Sequence, residues 1–436
     1  MLIGIIIAVL VFSILVLFHE FGHFIMAKAV GIGVTEFSLG MGPRIFSFGR
    51  GETKYSLKAL PFGGSCAMVG EDDAEETAPN AFGSKPAWAR FLVVIAGPAF
   101  NIILAFLVSL FLVGFGGINT NTVHEVKPGS AAEAAGIKPW EDSLTAINGK
   151  RISMGRELTL YLLANPLDGS PVELTLSRGG EERNVTIDPS VKGFRIGISY
   201  YNNTEHAQIG EVTAGSPAEK AGLKPGDIVS SINGIALANG KDMQDYFTKN
   251  PTKGEALVFE VAQGSETKTV TVLPEPYEAN ELGFDASYVY EDWDGNIFHL
   301  MGAGLREIRY WLSYTFTSLK MLIGGKVGVR DLSGPVGIVS TMGSAVEIGI
   351  ENGGAQAAAL NILTMMVLLS VNLGIMNLLP IPALDGGRIL FILFEIIFRR
   401  PVPKKAEAVV HFIGFALLMG LMILILFSDI LKLFGR

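Results

Sequence analysis

Phe18-His19-Glu20-Phe21-Gly22-His23 is the stretch from which the rest of this chain can be read. It has the form His-Glu-x-x-His, and no charged residue lies between Met1 and Phe18. Residues four apart share one face of a helix, so His19 and His23 can hold one metal ion, with Glu20 beside it as general base. In a soluble helix such a match arises by chance on an ordinary surface. Inside an apolar span a charged group costs about 2.5–3.5 kcal/mol. A polar contact between helices is the competing explanation. It gives no reason for two histidines and a glutamate at that cost.

Composition agrees with a membrane protein that carries a soluble part. Of 436 residues, 49% are hydrophobic and only 17% charged, against about 25% charged in soluble domains. Mean hydropathy is +0.41. A net charge of −8 argues against a nucleic-acid partner. The single cysteine, Cys66, excludes an intrachain disulfide and a cysteine-rich metal site. The N-terminal apolar run has no basic region ahead of it and no small-residue cleavage site after it, and it continues through the motif to Ala29. Residues 2–28 are therefore expected to form a retained transmembrane helix within a first segment, 1–30.

Residues 31–86 follow. Glu36-Phe37-Ser38-Leu39-Gly40-Met41, Ile45-Phe46-Ser47-Phe48 and Tyr55-Ser56-Leu57-Lys58 surround a turn at Gly49-Arg50-Gly51-Glu52. Short apolar strands about glycines predict β-hairpins, re-entrant or on the surface. Glu71 to Glu76 reads as an acidic solvated loop. A second span covers 87–116 and contains Gly97, Pro98 and Asn101. Small residues there permit close helix approach, and Asn101 can hydrogen-bond across helices.

Residues 120–290 form a soluble insert that repeats. Val123 to Gly136 echoes Ile209 to Gly222 at an offset of 86 residues, Asn148-Gly149 matches Asn233-Gly234 at 85, and Ile196-Gly197-Ile198 matches Leu282-Gly283-Phe284 at 86. Two units are expected, 120–201 and 206–290, each ending in its own hydrophobic-Gly-hydrophobic strand. Residues 297–345 read as an amphipathic helix on the membrane surface, then a rigid turn at Leu332 to Ile338. The third apolar region, 356–398, holds Asn372 and Asn377 and breaks at Leu379-Pro380-Ile381-Pro382-Ala383-Leu384-Asp385-Gly386-Gly387. Broken helices at membrane depth line sites. Of the intramembrane acids, Glu395 can pair with Arg399 four residues on, and Asp429 sits near the last exit. Asp385 has no such partner and is the expected third ligand. A fourth span covers 407–428. The loop at 31–86 carries Arg44, Arg50, Lys54, Lys58 and Lys85, and that at 399–405 carries Arg399, Arg400, Lys404 and Lys405, so both are expected on the cytoplasmic side, with the repeats outside.

His-Glu-x-x-His in the first span, Gly97-Pro98…Asn101 in the second and Asn377…Pro380-x-Pro382-x-Leu384-Asp385-Gly386-Gly387 in the third together resemble the site-2 protease family. The repeats resemble PDZ domains, in the Gly-Ser-x-Ala-x-x-Ala-Gly turn, Lys224-Pro225-Gly226-Asp227 and Ile-Asn-Gly; tandem units between spans two and three resemble the family's bacterial regulator-of-sigma-E protease branch. The first repeat departs at Trp140-Glu141-Asp142, and Arg388 stands where relatives have histidine. The fold class this implies is a multi-pass α-helical membrane protein of four spans, with a membrane-associated β-hairpin region and two α+β PDZ domains. The resemblance implies an intramembrane zinc endopeptidase in the bacterial inner membrane, with Zn2+ on His19, His23 and Asp385, and Glu20 catalytic. Asn372, Asn377, Pro380 and Pro382 would handle substrate, and Gly97, Pro98, Asn101, Gly386 and Gly387 would shape the site. The partners implied are the lipid bilayer, a single-span membrane protein already cut outside the membrane, and a peptide segment at the PDZ units. A catalytically silent PDZ scaffold and a metal transporter are the competing classes; neither gives a reason for Glu20.

Overall fold

The computed structural model of the chain describes residues 2–71, 78–201, 204–263, 266–328, 332–400 and 402–433. Apart from Glu71, the acidic loop expected at Glu71 to Glu76 lies outside them. The chain divides into a unit made mainly of residues 2–120 and 288–433 and a second made of 121–158 and 165–287.

Among the described residues of the first unit, four helices are long and apolar enough to cross a membrane, at Gly4–Ala29, Ala87–Gly116, Gly353–Leu378 and Lys405–Lys432. Helix α1 (Leu2–Ala29) stops where the sequence tells it to. Gly31 takes φ +72°, and the Gly31 and Ile32 N–H groups cap the carbonyls of Lys28 and Ala27 at 3.2 and 2.8 Å. Strands β1 (Val34–Arg50) and β2 (Thr53–Met68) follow. They are the expected hairpins, folded once more on themselves. Glu36 pairs with both Ala67 and Lys54, and Ser38 with both Ser65 and Ser56. The segment 34–41 is therefore flanked on one side by 64–68 and on the other by 54–57, with 44–50 outermost. Val34 and Cys66 pack with Ala27 and Ile32 in one core, while Met41, Ile45, Phe46, Phe48 and Leu60 stay exposed.

Helix α2 (Ala87–Gly116) contains Pro98 and crosses α1 closely. A Cβ on Gly22 would lie 2.4 Å from the Ala96 carbonyl oxygen, so glycine is required there. Helix α3 (Ile297–Ile323) is the expected amphipathic helix; Leu300, Ala303, Ile308 and Trp311 are covered by protein, while Phe298, Leu305 and Phe316 stay exposed. Gly304 packs against Ser109 and Leu110 of α2, and even Glu307 is buried.

Helix α4 (Pro335–Leu378) begins inside the stretch expected to be a rigid turn, with Pro335 in its first turn, where the missing N–H costs nothing. Gly353 and Gly354 leave helical geometry and split it into two arms. The arms fold back on each other, with the Asn361 amide donating to the Ala345 carbonyl at 2.8 Å. Helix α5 (Asp385–Phe398) follows the expected break, and α6 (Lys404–Leu433) ends the described chain.

The second unit holds two sheets of identical order. One runs Lys150–Arg151, Asp142–Ile147, Val172–Arg178, Glu181–Ile187; the other runs Ile235–Ala236, Ile228–Ile232, Leu257–Gln263, Glu266–Val272. Ser130 and Ser216 cap equivalent short helices by accepting from Glu133 and Glu219 N–H. One expectation fails here. Ile198–Tyr200 pairs with Ile209–Val212, the opening strand of the second repeat, and Phe284–Asp285 pairs with Glu125–Val126, the opening strand of the first. Neither repeat ends in its own closing strand. The second repeat is nested inside the first, and Ser190–Arg195 and Glu275–Asn280 pair where the chain passes between them. The contiguous divisions 120–201 and 206–290 do not describe this pairing. Ile198–Tyr200 reaches the opening strand that follows it after a short connection, and Phe284–Asp285 then closes the first repeat from far along the chain, an exchange the sequence offset alone does not reveal.

Candidate metal centre

Helix periodicity brings His19 and His23 to one face of α1, and the break before α5 delivers Asp385 to the same point. The three ligand atoms lie within 4.8 Å of one another. The two Nε2 atoms are 3.2 Å apart, and they stand 3.2 and 3.4 Å from Asp385 Oδ2. A tetrahedral ion with arms of about 2.0–2.1 Å spaces its ligands about 3.3 Å apart, so this triangle matches one face of such a site.

The outer nitrogens explain why the inner ones are free. His23 Nδ1 donates to the Val93 carbonyl at 2.8 Å, which leaves a lone pair on Nε2. His19 Nδ1 faces the Asn101 amide nitrogen at 3.1 Å, and the Asn101 Oδ1 atom is buried without a partner. Turning that amide by 180° lets Oδ1 accept from Nδ1–H and again leaves Nε2 with its lone pair. Asp385 Oδ2 is also buried with no hydrogen-bond donor. Three electron-rich atoms facing one another call for a cation, and a set of two imidazoles and one carboxylate suits zinc.

Close packing makes the approach possible. A Cβ on Gly97 would lie 2.3 Å from His23 Nε2 and 2.9 Å from His19 Cε1. Ser370 of α4 donates to the Asn101 carbonyl at 2.7 Å, and Gly374 lies against Pro98. Before α5, the Leu379 carbonyl accepts from Ile381 N–H at 2.6 Å, and the Ile381 carbonyl from Leu384 N–H at 3.2 Å. A Cβ on Gly386 or Gly387 would run into the carbonyls of Leu379 or Ile381 at 2.0 and 2.6 Å, so the Asp-Gly-Gly run is what this turn requires. Glu20 follows His19 on α1. Its carboxylate meets the Cys66 N–H, and a Cβ on Gly64 would come within 3.1 Å of Glu20 Cγ. The 64–68 segment thus runs beside the two histidines.

Other expected residues sit elsewhere. Asn372 accepts from Thr315 of α3 at 2.5 Å. Asn377 is half-buried near the end of α4, Pro380 is exposed, and Pro382 packs against Gly414 of α6. Glu395 pairs with Arg90 of α2 at 2.5 Å and not with Arg399. Arg399 ends α5 at φ +55° and turns away. Asp429 accepts from Gly337 N–H at 2.8 Å, capping the start of α4 from another helix. Arg388, the departure after Asp-Gly-Gly, pairs with Glu71. One residue near the site is not singled out by the sequence reading: His411 accepts from the Ala383 N–H at 2.8 Å. A lone histidine in an apolar span was the available signal for it.

The family model for peptidase family M50 matches residues 7–421. The chain is 32% identical to zinc metalloprotease RasP of Geobacillus kaustophilus, over 98% of this chain and 97% of that protein. It is 29% identical to a putative zinc metalloprotease of Vibrio cholerae, over 98% of each. A crystal structure of the HtrA3 PDZ domain bound to a phage-derived ligand covers 20% of this chain and 92% of its own, at 22% identity and a TM-score of 0.18.

Proposed function

The chain belongs to peptidase family M50, the site-2 proteases, and is a zinc metalloprotease, and from that premise we propose that it cuts single-span membrane proteins within or near their transmembrane segments. The observation that carries the reading is the convergence of His19, His23 and Asp385, the residues that would hold the ion. Zinc supplies a Lewis acid that polarises the scissile carbonyl and makes water a competent nucleophile at neutral pH. Glu20 takes a proton from the attacking water and passes it to the departing amine.

A substrate helix has its backbone groups tied up internally, so it must unwind before its peptide bond is reachable. The 64–68 segment pairs with 34–39 on one side only, among the described residues. Its other edge offers N–H and C=O groups to an extended strand beside Glu20. Asn377, Pro380 and Pro382 would bound the path of that strand. Asn372 reaches it only by giving up Thr315.

The lysines and arginines of the loops at 31–86 and 399–405 favour an inner-membrane orientation with the nested repeats outside. We read those repeats as PDZ domains that exclude substrates whose outer portion has not yet been trimmed by an earlier cut. Glu20→Gln tests the chemistry. It should fold and keep zinc by metal analysis, and cleavage should fall by about 10²–10⁴-fold. Cleavage near the wild-type rate would remove Glu20 from the mechanism.

A further inference from the structure

The turn at 379–384 contains a conformation that L-residues avoid. Ala383 sits at φ +77°, with no glycine to make this easy. Asp385 follows two residues later. Ala383 N–H, which no turn carbonyl takes up among the described hydrogen bonds, donates to His411 Nδ1 of α6 at 2.8 Å. Three residues on, and so on the same face of α6, Gly414 allows Pro382 to approach: a Cβ there would lie 2.4 Å from the Pro382 Cβ and 2.6 Å from its carbonyl oxygen. Residues on the other faces of α6 are exposed, among them Phe412, Phe415 and Leu417. The contact of α6 with this turn is therefore built on a glycine that admits the loop and a histidine that takes its N–H.

The acceptor role fixes the form of His411. Nδ1 must carry a lone pair, so the proton sits on Nε2, which faces Glu407 Oε1 at 3.9 Å. The ring edge meets Phe391 of α5 at a centroid distance of 5.6 Å. Arg388 of α5 is the other charge near the ring, and it is paired with Glu71.

We propose that His411 is a positioning residue for Asp385. As the Nε2–H tautomer it accepts the Ala383 N–H and holds the strained turn in the shape that aims Asp385 at His19 and His23. The carbonyls of Leu379 and Ile381 lie hard against Gly386 and Gly387, so the turn and the start of α5 move as one piece. Releasing Ala383 lets the carboxylate swing off the histidine pair. The inference rests on the zinc-protease reading above and adds a residue that touches neither metal nor substrate.

The test uses the purified full chain with wild type, His411→Leu, His411→Asn, the double variant His411→Leu/Ala383→Gly, and Asp385→Asn as reference. Asparagine keeps an acceptor where Nδ1 was; leucine keeps bulk alone. Zinc retained against a graded chelator and the absorption bands of the cobalt(II)-loaded protein are read beside cleavage. We expect His411→Leu to release zinc at about tenfold lower chelator and to show altered cobalt bands. His411→Asn should stay within about threefold of wild type, and Ala383→Gly should restore part of what leucine loses. If His411→Leu holds zinc like wild type while Asp385→Asn does not, the positioning role is wrong and the metal site stands. Equal losses in the leucine and asparagine variants also overturn the role, because packing alone would then explain both. If leucine does not fold, the asparagine variant decides: retention at the wild-type midpoint supports the acceptor role, and loss overturns it. A wild-type chain that binds no zinc overturns the underlying reading itself.

Discussion

Gly97→Ala isolates the geometry of the centre from the stability of the fold. The added methyl carbon would fall 2.3 Å from His23 Nε2 and 2.9 Å from His19 Cε1. Ordinary contact begins near 3.5 Å, so the overlap on His23 is about 1.2 Å. Helix α2 cannot back away cheaply, because Gly22 of α1 already touches the Ala96 carbonyl and Gly374 of α4 touches the other side near Pro98. The imidazole can rotate, and that is the cheaper relief. Rotation breaks the 2.8 Å bond to the Val93 carbonyl and moves Nε2 by several times the ~0.2 Å that metal–ligand distances tolerate. Replacing helical glycine by alanine gains up to about 1 kcal/mol, which offsets much of an overpacking cost of about 1–3 kcal/mol. The expected result is a split: melting temperature within a few degrees of wild type, zinc affinity down by about 100-fold and cleavage lost. Gly114→Ala is the control, since its Cβ would meet only Leu300 Cδ1 at 3.8 Å. Metal analysis and thermal unfolding read the two halves. A folded Gly97→Ala chain with full zinc would refute the argument that α2 sets the ligand positions.

Asp385→Asn should lose zinc and activity, whereas Glu395→Gln should keep zinc and cost only the Arg90 pair; the reverse ranking by metal analysis would mean the third ligand is misassigned. In the second unit, burial alone would raise the Asp142 carboxyl, but the Arg178 guanidinium at 2.6–2.7 Å and the Lys138 N–H outweigh it and hold it below the usual range. A depressed folded value means the stabilisation is present above the unfolded pKa of about 3.9 and is lost as pH falls through the lower folded value. Hydrogen exchange of Asp142–Ile147 in the full chain should therefore quicken below about pH 4, and an Asp142→Asn chain should lack that acid-dependent step. For the nested repeats, Ile118–Thr120 pairs antiparallel with Val289–Glu291, so the two ends of a deletion of residues 121–287 are adjacent. A linker of a few residues should close it, and the deleted protein should cleave untrimmed single-span substrates; unchanged discrimination between trimmed and untrimmed forms would reject the gate.

The candidate site residues were legible because each breaks a local rule. His19, Glu20 and His23 are polar in an apolar helix, and Asp385 follows a broken one. Other features were hidden for physical reasons. The two hydrophobic-Gly-hydrophobic segments are interchangeable in sequence, so their offset cannot say which sheet each one closes. Glu395 has a candidate partner four residues away, but Arg399 turns out of the helix and the true partner, Arg90, is 305 residues distant in the chain. The burial of α3 depends on Gly304 meeting Ser109, a long-range fit with no periodic signature. The glycine pair at 353–354 falls between the stretch read as a turn and linker and the apolar region read from residue 356, so the helical arm that begins at Pro335 carried no apolar signal of its own.

These hidden contacts share one logic. His23 is fixed by a carbonyl of α2 and His19 by an amide of α2, so the two imidazoles are ready once α1 and α2 have docked. Asp385 comes from elsewhere in sequence and is ordered by α5, by the ion pairs from Arg90 and Glu71, and by the α6 face that carries His411 and Gly414. Two of the proposed ligands thus depend on one helix contact and the third on several separate ones. Two imidazoles alone bind zinc weakly, because a stable protein site uses three or four ligands. It follows that loss of zinc on loosening the protein should track the docking of α5 and α6, and that the α1–α2 pair should persist beyond it.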